Sequence, residues 1–351
     1  MLQPTFHRLR VASVQPLTDD AVALTFEVPE HLRADYAFLA GQHITILGRD
    51  GGRRSFSLCA APSTGVLRIG VKRIEGGAFS DEVVGELQVG DELDVMTPAG
   101  GFVAVPDPAR RASYVAIAAG SGITPILSMV AALLEGEPQS SVTLIYANRT
   151  AASVMFIEEV QDLKDRFLSR LQVLHVLSRE ECEAPMLSGR LDAERLGALL
   201  AAFVDAERVD DWFLCGPQPM VAELSGMLTD AGLGRVHSEL FHAEAPVRRP
   251  LSEVDTADGA ARVTIRLAGR ATEFSLHPNG PSVLEAAVAV RQDLPFACKG
   301  GVCGTCRAHL AEGTVAMDLN YALEPQDVAQ GYVLTCQSHP TSARVVLDYD
   351  A

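Results

Sequence analysis

The chain has 351 residues, which is longer than one ordinary domain and predicts two or three domains with separate cores. With 48% hydrophobic and 21% charged residues and no low-complexity tract, the composition excludes a largely disordered chain. The formal net charge of -16 argues against a nucleic acid partner, because binding to phosphates depends on clustered Lys and Arg.

The N-terminal stretch and the most apolar run indicate where in the cell the protein is found. The first 17 residues, MLQPTFHRLRVASVQPL, alternate apolar and polar side chains and lack the continuous apolar segment of a signal peptide. The most apolar run, residues 123–134, is interrupted by Thr124, Pro125 and Ser128 and is shorter than the roughly 18 residues that cross a bilayer. We therefore expect a cytoplasmic protein with no membrane partner.

Residues 1–108 have the pattern of short antiparallel strands. Alternating runs cover Ala21–Val28, His43–Leu47 and Val66–Val71, and Gly and Pro separate them. Short strands with such punctuation predict a small antiparallel β-barrel for this segment.

Residues 112–241 change to repeats of strand, turn and helix. Predicted strands cover Tyr114–Ala119, Val142–Tyr146, Leu171–Leu177 and Trp212–Leu214, and a helix is predicted after each of them except the third. This alternation predicts an α/β domain, in which helices cover a parallel sheet.

A change of composition at residues 242–260 marks a boundary. The stretch HAEAPVRRPLSEVDTADGA has little periodicity and is rich in charge, Pro and Asp, which is typical of a linker. We expect a third domain to follow it, over residues 261–351.

The third segment combines strands with one helix. Val263, Ile265 and Leu267 alternate as in a strand. Ser282 and Glu285 have the spacing of a capping box, which opens a predicted helix over residues 283–292. Strands and one helix around a cysteine-rich loop predict an α+β ferredoxin-like domain of the β-grasp type.

Four of the seven cysteines have the spacing of a plant-type [2Fe–2S] site. They occur as Cys298-x4-Cys303-x2-Cys306, followed by Cys336 after 29 residues. The alternatives are a structural zinc site, which prefers paired Cys-x2-Cys hooks, and disulfides, which a cytosolic chain does not keep. The spacing favours the cluster, with these four thiolates as its ligands.

A glycine turn follows the first strand of the α/β segment. Gly120-Ser-Gly122-Ile-Thr124-Pro125 lies between the strand Tyr114–Ala119 and a helix-like run. Backbone N–H groups at such a helix start can approach a pyrophosphate. The motif lacks the third glycine of the dinucleotide fingerprint, so an ordinary strand-to-helix turn is the alternative.

A second turn ends the last predicted strand of the same segment, at Cys215-Gly216-Pro217. The carboxyl ends of parallel strands share one edge, where open sheets bind their ligands. The two turns therefore predict one dinucleotide crevice. The alternative for Cys215 is a buried side chain that only packs, the commonest role of a free cysteine.

Two short motifs give the chain a family resemblance. They are Arg54-Ser55-Phe56-Ser57 and Gly76-Gly77-Ala78-Phe79-Ser80. With them the chain resembles the ferredoxin–NADP reductase superfamily. The resemblance implies that Arg54 neutralises the pyrophosphate of FAD, that Phe56 lies against the isoalloxazine, and that Ser57 approaches flavin N5. The family has Tyr at the position of Phe56, so stacking is kept and one hydroxyl hydrogen bond to the flavin is lost.

The same resemblance implies further contacts with FAD. Val71 and Lys72 belong to the strand beside the flavin ring, and Gly77 to Ser80 form the helix start that holds the FAD phosphates. Read without the resemblance, Arg54 is a solvated strand residue and the glycines form an ordinary turn.

The segment His237-Ser-Glu239-Leu-Phe241 closes the reductase portion. The resemblance implies that Glu239 supports proton exchange at flavin N5 together with Ser57, and that Phe241 screens the ring until the nicotinamide arrives. The alternative is a final strand with an exposed Glu.

The choice between NADPH and NADH depends on which side chains contact the adenosine ribose. Arg149 follows the second strand of the α/β segment, and Ser178-Arg179 follows the third, with no Asp or Glu at the tip of either strand. Ser178-Arg179 resembles the 2′-phosphate site of NADP-using relatives, and Arg suits bidentate contacts with phosphate. We expect NADPH, with two solvated loop arginines as the alternative.

Four stretches of sequence narrow the resemblance to one group within this superfamily. They are residues 74–80, 146–150, 297–306 and 324–336. These stretches are similar to the reductase subunits of phenylacetyl-CoA epoxidases, which are multicomponent diiron oxygenases of aerobic phenylacetate breakdown. The resemblance implies a reductase that takes a hydride from NADPH onto FAD and passes single electrons through the cluster to diiron oxygenase subunits.

Two other functions stay open. The same electron transfer serves ring-hydroxylating dioxygenases and phenol-type monooxygenases, which domain order does not distinguish. A non-catalytic redox sensor has little need of a nucleotide crevice, so Arg149, Arg179 and Cys215 count against it. Direct oxidation of an organic substrate finds no support, because the sequence lacks the pair of Glu-x-x-His motifs of a diiron site.

Overall fold

Two blocks of secondary structure make up the chain. The computed structural model describes residues 4–74, 76–182, 184–242, 250–252, 254–256 and 259–351. One compact unit is Thr5–Phe241, and a second includes His242–Ala351. Within the described ranges, no helix is both long enough and apolar enough to cross a membrane. Much of the predicted linker, at residues 243–249, 253 and 257–258, lies outside the described residues.

The first unit begins with an antiparallel sheet. Its elements are β1 (Phe6–Thr18), β2 (Ala21–Glu27), β3 (His43–Leu47), β4 (Arg53–Ser57), β5 (Leu67–Lys72), helix α1 (Ala78–Gly85) and β6 (Glu92–Met96). The strand order is β4-β3-β6-β1-β2-β5, and each neighbouring pair is antiparallel. A further bridge joins Leu58, just after β4, to Ile69 of β5, so the two outer strands also meet.

A parallel sheet follows in the same unit. Its elements are β7 (Ser113–Ala119), α2 (Ile123–Gly136), β8 (Ser141–Asn148), α3 (Ile157–Arg166), β9 (Leu171–Leu177), α4 (Ala193–Phe203), β10 (Asp211–Cys215), α5 (Gln218–Asp230) and β11 (Arg235–Glu239). The order is β11-β10-β7-β8-β9, and all pairs are parallel. The predicted parallel sheet is therefore confirmed.

Helix α2 packs against both sheets of this unit. Every residue from Ile123 to Leu134 is buried, as expected of a helix that is apolar on all faces. The Ser128 hydroxyl donates to the Ala60 carbonyl oxygen at 2.6 Å. A Cβ on Gly70 of β5 would lie 2.9 Å from the Thr124 side chain, so this glycine lets β5 approach the start of α2. The predicted segments 1–108 and 112–241 thus share one compact unit.

The second unit contains a mixed sheet. Its elements are β12 (Ala261–Leu267), β13 (Arg270–Leu276), α6 (Val283–Val290), β14 (Arg307–Glu312), β15 (Val315–Met317), α7 (Pro325–Ala329), β16 (Tyr332–Leu334), β17 (Ser338–Pro340) and β18 (Arg344–Asp348). The main sheet has the order β13-β12-β18-β14-β16, and β15 pairs with β17. Strands β12 and β18 are parallel, and the other pairs are antiparallel.

Local sequence signals account for the start and the end of α6. The capping box is confirmed: the Ser282 N–H donates to Glu285 Oε2 at 3.1 Å, and the Glu285 N–H donates to Ser282 Oγ at 3.3 Å. The helix ends at Val290, two residues earlier than predicted. Arg291 is extended, because its guanidinium binds Asp293 at 2.7 Å and the Leu267 carbonyl oxygen at 2.9 Å.

Candidate functional site

Two turns meet at the carboxyl edge of the parallel sheet. The chain runs from β7 to β8 in one direction and returns to β10 on the other side of β7, so the strand order reverses between β7 and β10. The turn Gly120–Gly122 follows β7, and Gly216 follows β10. A Cβ on Gly122 would lie 2.2 Å from the Cys215 carbonyl oxygen. This is the place where open α/β sheets bind ligands, and only glycine permits the approach.

The start of α2 is fixed from within the first turn. The Thr124 hydroxyl donates to the Ser121 carbonyl oxygen at 3.0 Å, and Pro125 occupies the first turn of the helix, where a missing N–H costs nothing. The N–H groups at this helix start are consequently presented at the crevice edge. Pro217 is the N-cap residue of α5, and Pro219 lies in the first turn of that helix.

A buried acid lies beside this crevice. Glu239, the last residue of β11, stands in register with Cys215. Ser57, the last residue of β4, donates its hydroxyl to Glu239 Oε2 at 3.1 Å. Ser57 is 5% exposed and Glu239 is 8% exposed. The two sheets therefore bring Ser57 and Glu239 together, and their roles beside a flavin stay a prediction.

Burial sets the protonation of this group. It raises the pKa of Glu239 to about 8, although the hydrogen bond from Ser57 acts in the opposite direction. Burial also raises the pKa of the Cys215 thiol well above its usual value, and the neighbouring Glu239 adds to this effect. At neutral pH the pair is a neutral acid and a neutral thiol. The acid with Ser57 can hold or pass a proton, whereas Cys215 is no nucleophile.

The arginine of the predicted flavin motif lies over an aromatic side chain of α1. The Arg54 guanidinium carbon is 5.3 Å from the centroid of the Phe79 ring, and that ring is 5.5 Å from the ring of Phe56. A cation on β4, an aromatic on β4 and the first turn of α1 thus converge. Such a set fits a pyrophosphate that carries an aromatic ring system.

Sequence reasoning missed the partner of this arginine. Asp50 holds Arg54 by two hydrogen bonds, Nη1 to Oδ1 at 2.9 Å and Nη2 to Oδ2 at 2.5 Å. The Gly52 N–H donates to the same carboxylate at 3.0 Å. The signal was present in the sequence, because Asp50 stands four residues before Arg54 in an Asp-Gly-Gly turn, which suits a side chain that caps its own turn.

Several other predicted flavin contacts have structural partners. Ser80 shapes the turn before α1: its hydroxyl accepts from the Ile74 N–H at 3.0 Å and lies 3.0 Å from the Gly77 carbonyl oxygen. Val71 is fully buried and Lys72 pairs with Asp20 at 3.3 Å. The Ser55 hydroxyl lies 3.4 Å from that of Thr45.

Phe241 follows the site acid by two residues. Its side chain is 42% exposed, and it has no ring contact with any described residue. An aromatic ring in this position is free to cover another planar group.

The two predicted phosphate arginines are neighbours. The Arg179 N–H donates to the Arg149 carbonyl oxygen at 2.8 Å, and the Ser178 N–H donates to the Asn148 backbone carbonyl oxygen at 2.9 Å. Both arginines are exposed, and neither guanidinium has a hydrogen bond or an ion pair with any described residue. Sequence reasoning missed Glu180, whose carboxylate accepts from the Ala151 N–H at 3.0 Å. One oxygen of that carboxylate is therefore bound to the backbone.

In the second unit the four predicted cysteines form two pairs. Cys298 interacts with Cys303 through the side chains, and so does Cys306 with Cys336. In the described part of the chain no three His, Cys, Asp or Glu side chains are arranged for a single metal ion. Two separate thiol pairs are instead what a cluster with two irons needs, since bridging sulfides complete each iron.

The surroundings of these thiols favour the thiolate form in one member of each pair. The bond from the Cys303 thiol, followed by backbone N–H donors, lowers the pKa of Cys298 to about 6. The Gly300 N–H is 3.3 Å from its sulfur. The bond from Cys306 likewise lowers the pKa of Cys336. The pKa values of the donor thiols, Cys303 and Cys306, are raised.

Comparison with known proteins agrees with both halves of this description. The family described as "Oxidoreductase NAD-binding domain" matches residues 116–225, and "2Fe-2S iron-sulfur cluster binding domain" matches residues 265–341. The chain is similar to a subunit of the 1,2-phenylacetyl-CoA epoxidase of Escherichia coli (strain K12), with 42% identity over 99% of this chain and 98% of that protein.

Two further relatives have the same extent. The 3-ketosteroid-9-alpha-monooxygenase ferredoxin reductase component of Rhodococcus rhodochrous is 32% identical over 97% of this chain and 96% of its own. The solved structure of phthalate dioxygenase reductase, described as modular for electron transfer from pyridine nucleotides to [2Fe–2S], has a TM-score of 0.59 and 25% identity. That match covers 98% of each chain.

A methyl group on Gly122 should close the crevice. We expect Gly122→Ala to raise the KM for the nicotinamide cofactor more than tenfold, because its Cβ meets the Cys215 carbonyl oxygen at 2.2 Å. Steady-state dye reduction measures the KM, and absorbance checks the flavin and cluster content. Gly226→Ala in α5, where a Cβ meets nothing within 4 Å, is the matched control. An unchanged KM in Gly122→Ala contradicts the crevice assignment.

The raised pKa of Glu239 predicts a pH dependence. Oxidation of a nicotinamide cofactor by a one-electron acceptor releases a proton, and Glu239 can accept that proton only as the carboxylate. The rate should therefore be low below about pH 8 and rise as the pH passes through 8. Glu239→Gln cannot exchange the proton. We expect its rate to fall by roughly 10² and to lose this inflection. The exposed Glu207→Gln is the control, and a wild-type profile in Glu239→Gln argues against the proton role.

Proposed function

The chain belongs to the ferredoxin–NADP reductase superfamily, among the oxygenase reductases that carry a C-terminal [2Fe–2S] domain, and from this premise we propose its acceptor, its donor and the residues that serve them. It is an NAD(P)H-dependent flavin and iron–sulfur oxidoreductase whose cofactors are FAD and a [2Fe–2S] cluster. FAD, when bound, supplies the conversion of a hydride into single electrons.

One observation carries the functional proposal. The same chain contains a nucleotide crevice beside the Ser57–Glu239 pair and, in its other unit, two thiol pairs suited to two irons. A flavin site alone suits a dye or quinone reductase, and a cluster alone suits a ferredoxin. Both on one chain suit a reductase that receives electron pairs and releases them singly.

We propose the finer architecture on the same basis. The bridge from Leu58 to Ile69 supports closure of the first sheet into a β-barrel that holds FAD within residues 1–108. Residues 112–241 would bind the nicotinamide cofactor. The mixed sheet with α6 supports a β-grasp fold for residues 261–351.

We assign the flavin and cluster contacts as proposals. Arg54, Phe56, Phe79 and the N–H groups at the start of α1 would hold the FAD phosphates and ring. Ser57 would orient the flavin edge and hand a proton to Glu239, while the neutral Cys215 would only pack against the nicotinamide. The cluster ligands would be the four cysteines of the Cys-x4-Cys-x2-Cys motif and Cys336.

For the electron donor we propose NADPH. Two exposed arginines whose guanidiniums have no partner among the described residues favour the 2′-phosphate over a bare ribose hydroxyl. For the acceptor we propose the diiron oxygenase subunits that act on phenylacetyl-CoA. The support is 42% identity over nearly the full length of a relative that is named as part of that epoxidase.

Removal of the two arginines tests the donor. Each charge-assisted bond to phosphate contributes about 1.5–3 kcal/mol. We therefore expect Arg149→Ala with Arg179→Ala to raise the KM for NADPH by roughly 10²-fold or more and to leave that for NADH nearly unchanged. Arg208→Ala is the control, because the Arg208 side chain is 82% exposed and is paired with Asp205. An equal rise for both cofactors would place the arginines elsewhere.

Reconstitution tests the acceptor. The purified chain, NADPH and phenylacetyl-CoA epoxidase oxygenase subunits should give product only when all three and the substrate are present. Cys336→Ser should abolish this coupling and cytochrome c reduction, because the cluster is lost, yet retain ferricyanide reduction by the flavin. Cys182→Ser is the control. Coupling to a steroid or ring-hydroxylating oxygenase, but not to this one, would reject the acceptor and keep the reductase.

A further inference from the structure

The residue after the last cysteine reaches back to the cysteine loop. Gln337 is 5% exposed. Its side-chain Nε2 lies 2.8 Å from the carbonyl oxygen of Lys299, 3.1 Å from that of Cys336 and 3.6 Å from the sulfur of Cys336. One amide group therefore spans two chain segments that supply opposite thiol pairs.

The surroundings fix which end of the amide faces the sulfur. Two carbonyl oxygens and a sulfur surround Nε2, and all three are acceptors. The opposite orientation would direct Oε1 at these acceptors and leave the hydrogens without partners. Oε1 itself is buried and has no hydrogen bond within the described part of the chain. Burial of an unpaired carbonyl costs free energy, which the donor contacts of Gln337 must offset.

The bend of the loop packs directly on this side chain. Lys299 has a φ of 53°, a conformation that a residue with a Cβ rarely adopts, and Gly301 has a φ of 74°. A Cβ on Gly301 would lie 3.1 Å from Gln337 Cγ. The strained backbone at Lys299 thus coincides with the carbonyl that Gln337 holds.

The residue before Cys336 holds the other end of the loop. The Thr335 hydroxyl donates to the Cys306 carbonyl oxygen at 2.9 Å, and it lies 2.7 Å from the Tyr349 hydroxyl. Thr335 contacts only the backbone of a ligand residue. Gln337 differs because it also reaches the sulfur of Cys336.

We propose that Gln337 is a positioning residue that pins the Lys299–Gly301 bend to Cys336 and raises the reduction potential of the cluster. Reduction adds negative charge to the cluster, and an N–H donor at a ligand sulfur stabilises the more negative form. The inference rests on the [2Fe–2S] site of the proposed function and is independent of which oxygenase accepts the electrons.

The test replaces the amide by an apolar group of similar size. Gln337→Met keeps the length of the side chain and removes the donor. Redox titration of the whole protein, followed by the electron paramagnetic resonance of the reduced cluster, should give a more negative cluster potential than in wild type. The flavin potential, read in the same titration, should be unchanged. Cluster absorbance should also decay faster in the presence of an iron chelator.

The exposed Gln326→Met, in α7 of the same unit, is the matched control and should retain the wild-type potential. A wild-type potential in Gln337→Met overturns the inference. Should that variant be purified without its cluster, Gln337→Asn carries the same measurement, since its amide is one methylene too short to reach Lys299. No negative shift in Gln337→Asn then overturns it.

Reduction of the wild-type protein distinguishes a failure of this inference from a failure of the proposed function. A wild-type chain that carries no reducible cluster defeats the proposed function. A wild-type chain whose cluster is reduced by NADPH, with an unshifted potential in the Gln337 variants, defeats only the role of Gln337.

Discussion

The buried hydrogen bond between Ser57 and Glu239 is the constraint on which the reductase unit depends. It joins the end of a strand in the antiparallel sheet to the end of a strand in the parallel sheet. An acid with so little exposure is tolerated because it is neutral at ordinary pH and has a hydroxyl partner. The two sheets must therefore keep a fixed relative position at this point. Helix α2, which is buried along most of its length, and the close approach of Gly70 to Thr124 maintain that position.

The chain uses one residue type in two opposite ways. Cys215 is fully buried and stands beside an acid, so burial keeps it as a thiol. Cys298 is partly buried as well, but the neighbouring Cys303 thiol and several backbone N–H groups lower its pKa. The pKa values of the two cysteines differ because of the hydrogen-bond donors around each sulfur rather than because of the degree of burial. This difference suits the proposed roles, because a thiol that packs against a nicotinamide should be inert, whereas an iron ligand must give up its proton.

Features that depend on spacing along the chain could be predicted from the sequence. The apolar run of β7, the Ser282–Glu285 capping box and the Cys-x4-Cys-x2-Cys motif are local patterns, and their spacing reflects strand, helix and cluster geometry. Contacts between distant segments were not predictable from spacing, and only the family resemblance placed Ser57 and Glu239 at one site. Gln337 meets Lys299 across 38 positions, and nothing in either residue marks the pairing. Even the local pair of Asp50 and Arg54 required knowledge that the turn bends the carboxylate back onto the guanidinium.

The two arginine sites differ in how firmly their arginines are held. This difference matches how often each proposed ligand would leave the protein. Asp50 and the Phe79 ring hold Arg54 in one orientation before any phosphate arrives, which lowers the entropic cost of binding and suits a cofactor that stays. The ion pair is partly solvated, so a phosphate can replace or share it at small cost. Arg149 and Arg179 have no such partners among the described residues and lie exposed at the sheet edge. Two exposed guanidiniums would have to be ordered on each binding event, which would weaken the complex and favour release of the proposed nucleotide after every hydride.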